Sequence, residues 1–471
     1  MQQTDQGVRV VNVKRALVRA AALLLAACVV IGCQVVWVDP DTGEPVSGGG
    51  GSNTDNGQDG GSGDGSSNGG GSDDGGGSTD SGNDDDGTDD EPLPRGVAGL
   101  DPNSIDPSRD ADFDPFPVEM ATVQGGGSGP EYTFQMSKFE ITVGQFIVFL
   151  NDCDADAGAS AKSANMFFGA DGGVYMSDNL TAEDHAREPR ILVATEPIDR
   201  SSNVRFDPAR PRGKRYGAER GLTDLPMNEV SWYGAMKFCN WLTIVEGLGE
   251  DARCYSEGPD PQDWHPVTIS TADYIDRLMT VEERQRLVDE LRGYRLPMEN
   301  LAGSGAPGQG PVSRPENAFN EWYKAAAYDP AGPEQDRIGP LGEIVSARHW
   351  IYGFGRDTVS AADANYEFSL DPFETDSFGF TAQNPPGYYN GVDTLRTGTP
   401  TNDTDNPWGL YDLSGNVAEW SNDESTVPKV NRSHYGGSYE QNTDRLAVNY
   451  RNNRPPHETH NWLGFRVVRV P

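Results

Sequence analysis

The chain has 471 residues, with 73 acidic against 37 basic side chains and a formal net charge of −36. That balance excludes nucleic acid as a partner, because phosphate binding needs clustered Lys and Arg. The length allows two or three domains, but one long Gly- and Asp-rich stretch lacks the apolar residues a core needs.

Residues 1–33 read as a bacterial lipoprotein signal peptide. Lys14, Arg15 and Arg19 form a positive start, and Ala20 to Gly32 is an apolar run too short to span a bilayer. The run ends in VIGC at Cys33, a lipobox pattern; LAAC at Cys28 is a second candidate, and Cys33 leaves the longer apolar run. Lipidation at Cys33 would tether the chain by acyl groups, each buried methylene contributing about 0.8 kcal/mol. Gln34 rather than Asp follows the cysteine, which directs a lipoprotein to the outer membrane of a diderm cell. The expected location is therefore exported and lipid-anchored in the bacterial cell envelope.

Residues 34–114 read as a disordered linker, rich in Gly, Ser and Asp from Ser47 to Asp90. A flexible coil of about 45 residues spans roughly 35–40 Å, enough to hold a domain clear of a membrane surface. Asp84, Asp85, Asp86, Asp89 and Asp90 extend it by self-repulsion.

Residues 115–471 carry the folded domain, with short strands and long loops rich in Gly, Pro and Asn. Four helices are predicted. Thr142 with Gln145 makes a capping box, and Phe146, Phe149, Leu150 and Cys153 share one face beyond it. Ser231 caps a second helix, with Trp232, Ala235, Met236, Cys239 and Leu242 at helical spacing. Thr280 and Glu283 cap a third, which stops by Gly293. A fourth is expected over about Glu316 to Tyr328, burying Phe319, Trp322, Tyr323 and Ala326. These stripes read as core. Cys153, Cys239 and Cys254 permit at most one internal disulfide, and no CxxC or Cys/His zinc spacing occurs.

Five blocks in order carry a resemblance: KFEITVGQFIVFLN (Lys138 to Asn151), PMNEVSWYGAMKFCNWL (Pro226 to Leu242), GYRLP (Gly293 to Pro297), NPWGLYDLSGNVAEW (Asn406 to Trp420), and GGSYEQNTDRL (Gly436 to Leu446) followed by LGFRVV (Leu463 to Val468). Together they resemble the formylglycine-generating-enzyme, or sulfatase-modifying-factor, family. The resemblance implies an α+β fold, a variant of the C-type-lectin-like fold with few regular strands, braced by structural Ca²⁺. By residue, it places one calcium site on the side chains of Asp412 and Glu419 and the carbonyls of Gly415 and Val417. A second site would fall on Asn365, the carbonyl of Tyr366 and a residue near Asn390. Calcium suits such positions because it takes six to eight oxygens from carboxylates and tightly turned backbone.

Enzymes of this family oxidise a substrate cysteine with O₂ on copper(I) held by two thiolates. Counted from GGSY, those positions fall on Gln441 and Leu446, and no cysteine follows Cys254. Soft Cu(I) selects sulfur, which neither an amide nor an alkyl chain supplies, so copper is not expected. The three-histidine iron site of related sulfoxide synthases has no counterpart; His457 and His460 read as surface polar residues. The expected function is a surface-anchored, non-catalytic module binding an extracellular glycan, peptide or protein, with Tyr439, Arg445, Asn449 and Arg451 as contacts. Arg451 and Arg466 alternatively pin the C-terminal loops through backbone carbonyls. The other reading is an oxidoreductase of the formylglycine-generating or non-heme metal type, acting on a protein or small thiol through non-standard residues.

Overall fold

The structure, a computed structural model, describes residues 27–31, 34–38 and 118–471, except 179–189, 196–197, 200, 219–221, 270–278, 300–309, 312–319, 374–382 and 425–430. Cys33 and nearly all of the 34–114 spacer lie outside the described residues. The chain divides into two units, Met1–Gly87 and Thr88–Pro471. In the first, Ala27–Ile31 pairs antiparallel with Gln34–Val38, Cys28 opposite Trp37. No helix among the described residues is long and apolar enough to cross a membrane.

Among the described residues the second unit mixes four α-helices with small sheets, an α+β architecture. Helix α1 (Val143–Asp156) starts where the sequence predicts. The Gln145 amide donates to Thr142 Oγ1 at 3.2 Å, and the Thr142 amide donates to Gln145 Oε1 at 2.9 Å. The helix ends at Ala157, which takes a left-handed φ of 52°. Replacing Thr142 by Ala, which leaves the Gln145 amide without its acceptor, is expected to cost about 1 kcal/mol in urea unfolding; an unchanged midpoint would show that the Thr142 hydroxyl does not stabilise α1.

Helix α2 (Trp232–Val245) is capped by Ser231, whose Oγ accepts from the Gly234 amide at 3.1 Å. It is the core helix. Phe238 stacks on Phe146 of α1 at 5.5 Å and meets Phe465 edge-on at 5.4 Å. The sequence predicts one apolar stripe here, but every residue from Trp232 to Thr243 is buried. Lys237 and Asn240 tolerate this because Glu257 reaches both, Lys237 Nζ at 2.6 Å and Asn240 Nδ2 at 2.7 Å. An isolated buried ammonium would be prohibitive, whereas a paired and hydrogen-bonded one is not. The segment after Tyr255 thereby clamps the polar side of α2.

Helix α3 (Val281–Asp289) carries the predicted capping box at Thr280 and Glu283. Helix α4 (Glu321–Ala327) is shorter than predicted: Asn320 caps it by accepting from the Tyr323 amide at 2.9 Å. Residues 316–319 of that expectation lie outside the described residues. Trp322, Tyr323 and Ala326 are buried as expected.

The main sheet has five strands in the order Gly310–Pro311, Tyr450–Arg454, Arg432–Tyr435, Ala418–Glu424 and Leu463–Gly464. All pairs are antiparallel except the last. A three-stranded sheet joins the two ends of the domain, Val468–Arg469 pairing with Phe134–Ser137 and that strand with Met120–Val123. The blocks around Glu140, Asp412 to Glu419, GGSY and Arg466 thereby meet in one region.

Candidate functional site

Strand Arg432–Tyr435 runs into Gly436 and Gly437, both left-handed at φ +90° and +69°. A Cβ on Gly437 would lie 2.7 Å from the Arg445 carbonyl oxygen and 3.2 Å from Leu446 Cα, so only glycine permits this close return. The Gln441 amide donates to the Ser438 carbonyl at 3.0 Å, and a short 3₁₀ turn over Thr443–Leu446 leads back to the sheet. The segment is tied to neighbouring loops by backbone. Tyr439 N donates to Asn416 O at 2.9 Å, and Glu367 N donates to Gln441 O at 2.9 Å.

The two positions counted from GGSY have different surroundings. Gln441 is half-buried, and its Oε1 is buried without a hydrogen-bond partner. Leu446 is fully buried in an apolar cluster with Val345, Ile351, Tyr352, Phe354 and Ala447. Of the four expected ligand contacts, Arg445 is exposed and Tyr439 half-buried, whereas Asn449 and Arg451 are inside. Arg451 sits on the sheet face that carries Tyr435, and both reach the buried Glu299, Arg451 Nη1 at 3.6 Å. It is an internal ion pair rather than a surface contact, and its partner is a carboxylate rather than the backbone. Asn449 is 1 % exposed, and neither atom of its amide is bonded.

The expected metal ligands gather around Arg466. Glu419 is completely buried: Oε1 accepts from Arg466 Nη2 at 2.6 Å, and Oε2 accepts from Arg466 Nε and Trp322 Nε1, each at 2.7 Å. Arg466 also donates to the carbonyls of Ser137 at 3.0 Å and Tyr411 at 2.9 Å, as the sequence alternative has it. Asp412 takes a left-handed φ of 58°, and its Oδ2 accepts from the Gly387 amide at 2.6 Å. Gly415, at φ +101°, passes so close to Asn365 that a Cβ would lie 2.3 Å from its carbonyl oxygen.

Sequence reasoning missed Glu140. This buried carboxylate accepts from the Val417 amide at 3.1 Å and Asn416 Nδ2 at 2.8 Å. Burial pushes Glu140 well above the usual carboxylate range, Asp412 and Glu419 adding to the rise and Arg466 opposing it. Burial likewise pushes Asp412 up to about 6. Three carboxylates thus face one guanidinium. Among the described residues no group of three His, Cys, Asp or Glu side chains converges closely enough to hold a metal alone, so a cation here would draw on backbone carbonyls too.

At the second expected site, the Asn365 carbonyl accepts from Asn416 N at 2.9 Å and the Tyr366 carbonyl from Ser369 N at 2.9 Å. The side chain of Asn390 bonds Asp393 in its own loop at 2.8 Å. The carboxylate near Asn365 is instead Asp371, buried and accepting from Ser369 Oγ at 3.0 Å, a hydroxyl that also lies 3.4 Å from Asn365 Oδ1.

Cys153, Cys239 and Cys254 are free and buried, with no disulfide among them. Burial raises all three thiols, Cys254 to about 12, so none is a ready thiolate. His460 stacks on Trp462 at 4.6 Å and lies 3.0 Å from Glu458 Oε2, half-buried like His457.

A mixed α+β domain whose GGSY turn, GNVAEW loop and terminal Arg466 interlock in this way defines a class, and the comparisons name it. Residues 131–471 match the Sulfatase-modifying factor enzyme 1-like domain, and the chain belongs to that family. Solved structures similar to it include CarF, at 18 % identity and a TM-score of 0.40, covering 75 % of this chain and 99 % of that one. Treponema denticola variable protein 1 matches at 17 % identity and 0.33, covering 75 % and 95 %. PvdO from Pseudomonas aeruginosa matches at 16 % and 0.29, covering 76 % and 96 %. Likeness at this level says nothing about what the chain does. A search of curated proteins finds no match.

Proposed function

We propose that residues 115–471 form a non-catalytic recognition domain on a variant C-type-lectin-like scaffold, held out from the bacterial envelope by a lipid anchor at Cys33 and the 34–114 spacer. Its ligand would be an extracellular glycan, peptide or protein. The observation that carries this is the pair Gln441 and Leu446. They stand where the resemblance calls for two thiolates, and Leu446 is packed among aliphatic and aromatic side chains that offer a soft metal nothing. Fold membership alone does not confer the family's chemistry.

Calcium fits the residues present. The excess of Glu140, Asp412 and Glu419 over Arg466 suits a divalent cation, with Asp412, Glu140 and the carbonyls of Gly415 and Val417 as its holders. Glu419, whose oxygens accept three bonds from Arg466 and Trp322, would act through Arg466, whereas each Glu140 oxygen accepts only one. A bound calcium would supply structural bracing, not reactivity.

The purified full chain, incubated with a CxPxR peptide, copper and O₂, is expected to yield no aldehyde. Measurable aldehyde would overturn the non-catalytic reading. A glycan and peptide array is expected to show selective binding, and uniform silence would count against recognition.

A further inference from the structure

Beside the GGSY turn lies an acidic cluster that the reading above does not use. Glu229 is 2 % exposed, yet it holds a left-handed φ of 51°. For a residue other than glycine or asparagine that backbone costs on the order of 1 kcal/mol. Two bonds fix it: Glu229 N donates to His460 O at 3.0 Å, and Ala194 N donates to Glu229 O at 3.1 Å.

The carboxylate shares the Ser201 hydroxyl with Asp199, whose Oδ1 also accepts from the Ser201 amide at 2.9 Å. Ser201 Oγ lies 2.8 Å from Glu229 Oε1 and 2.5 Å from Asp199 Oδ1, and one hydroxyl proton can serve only one of them. Glu229 Oε2 is buried and accepts no hydrogen bond. Glu440 completes the group; Asn461 Nδ2 donates to its Oε1 at 3.2 Å. Burial and then Asp199 push Glu229 up to about 7, the Ser201 and Thr459 hydroxyls pulling it part of the way back and Glu440 adding to the rise.

Among the described residues, none of the three carboxylates forms an ion pair; Arg200 lies outside them. Asn228 Nδ2 holds the Ser201 carbonyl at 2.9 Å and Gln383 Nε2 the Asn461 carbonyl at 2.9 Å, so the frame is fixed by amides that carry no charge. Tyr439, half-buried, is kept a neutral phenol by burial and by the charges of Glu440 and Glu229.

A strained, buried carboxylate with one unmet oxygen, beneath two more carboxylates and a phenol, is a receptor short of a positive charge. We propose that Glu229, Asp199, Glu440 and Tyr439 form a subsite for an alkylammonium group, as borne by a polyamine or a lysine side chain. A compact ammonium offers three donors to acceptors at hydrogen-bond distance and suits one buried oxygen below a rim better than a planar guanidinium does. A divalent metal would need six or more oxygens at 2.3–2.6 Å, whereas Asp199 and Glu229 turn an oxygen each toward Ser201. The subsite stands whether or not the domain has a catalytic activity.

Calorimetric titration of the full chain at pH 8 tests this, with 1,4-diaminobutane, N-acetyl-lysine amide, arginine amide and CaCl₂ as separate probes. Saturable binding of at least one of the two amines is expected, tighter than arginine amide, and which amine is tighter separates a free polyamine from a lysine side chain. Glu229→Gln should weaken amine binding at least tenfold, and Glu440→Gln several-fold, while Glu119→Gln, at a residue that pairs with Lys138 instead, leaves it unchanged. Wild-type binding should also fall as pH drops below 7 and Glu229 takes a proton. Because Glu229→Gln removes a buried charge that lacks a counter-ion, its unfolding temperature at pH 8 should equal or exceed the wild type's; Glu440 is exposed and its replacement spares the core. No saturable amine binding, equal amine affinity in Glu229→Gln and Glu119→Gln, or a CaCl₂ heat that Glu229→Gln abolishes would each overturn the proposal.

Discussion

Replacing Arg466 by Met is expected to destabilise the domain by about 3–5 kcal/mol, read as a fall in the urea midpoint with an unchanged slope. The guanidinium is completely buried and meets both oxygens of Glu419 and the carbonyls of Ser137 and Tyr411. Methionine fills much of the volume but abandons a buried carboxylate beside Glu140 and Asp412, which already strain against one another. The cost arises from that abandoned charge, so it should shrink when the charge is removed. The double variant Arg466→Met with Glu419→Gln should recover a large part of the loss, although Trp322 Nε1 and two carbonyls keep weaker partners. If Arg466→Met unfolds within about 1 kcal/mol of the wild type, Arg466 is not the clasp between the GNVAEW loop and the ends of the domain.

How much of this was legible in the sequence follows from the range of each interaction. Helix starts are local: Thr142, Ser231 and Thr280 each bond the amide three residues ahead, and all three caps lie where spacing predicts. The all-round burial of α2 is not legible, because Lys237 and Asn240 find their partner in Glu257, seventeen or more residues away. The fourth helix begins at Glu321 rather than near Glu316, because Asn320 caps it by accepting from the Tyr323 amide. In the site, Glu140 escaped notice because it joins Asn416 and Val417 across more than 270 residues. Its only sequence signal is an acid between Phe139 and Ile141, both buried. Arg451 was drawn outward because an arginine after GGSY suggests a contact, but strand alternation turns it inward with Tyr435 toward Glu299. Glu229 had no signal at all; its left-handed backbone and its neighbours Asp199 and Glu440 come together only in the folded chain.

In EGTA, the unfolding temperature is expected to fall as pH rises from about 4 to about 7, and millimolar Ca²⁺ should remove most of that fall. Burial raises Asp412 to about 6 and Glu140 well above its ordinary value, so the folded state binds more protons than the unfolded chain across this window. Stability therefore declines as pH rises through it, the slope being set by the difference in bound protons. This is the reverse of a salt-bridged carboxylate, whose contribution is lost toward acid. A cation at Asp412 and Glu140 would replace the missing protons with metal charge, so its benefit should be largest above pH 6 and small at pH 4.5. At a hundredfold excess over Kd, one site contributes about 2.7 kcal/mol, worth several degrees in a domain of this size. Glu229 titrates with the same sign and would blur the wild-type curve alone. Asp412→Asn separates the two, because it should flatten the EGTA profile and abolish the calcium response while leaving the Glu229 contribution in place. If Ca²⁺ at pH 7.5 shifts the wild type no more than Asp412→Asn, the carboxylate excess around Arg466 is borne by protons alone, and the calcium proposal falls.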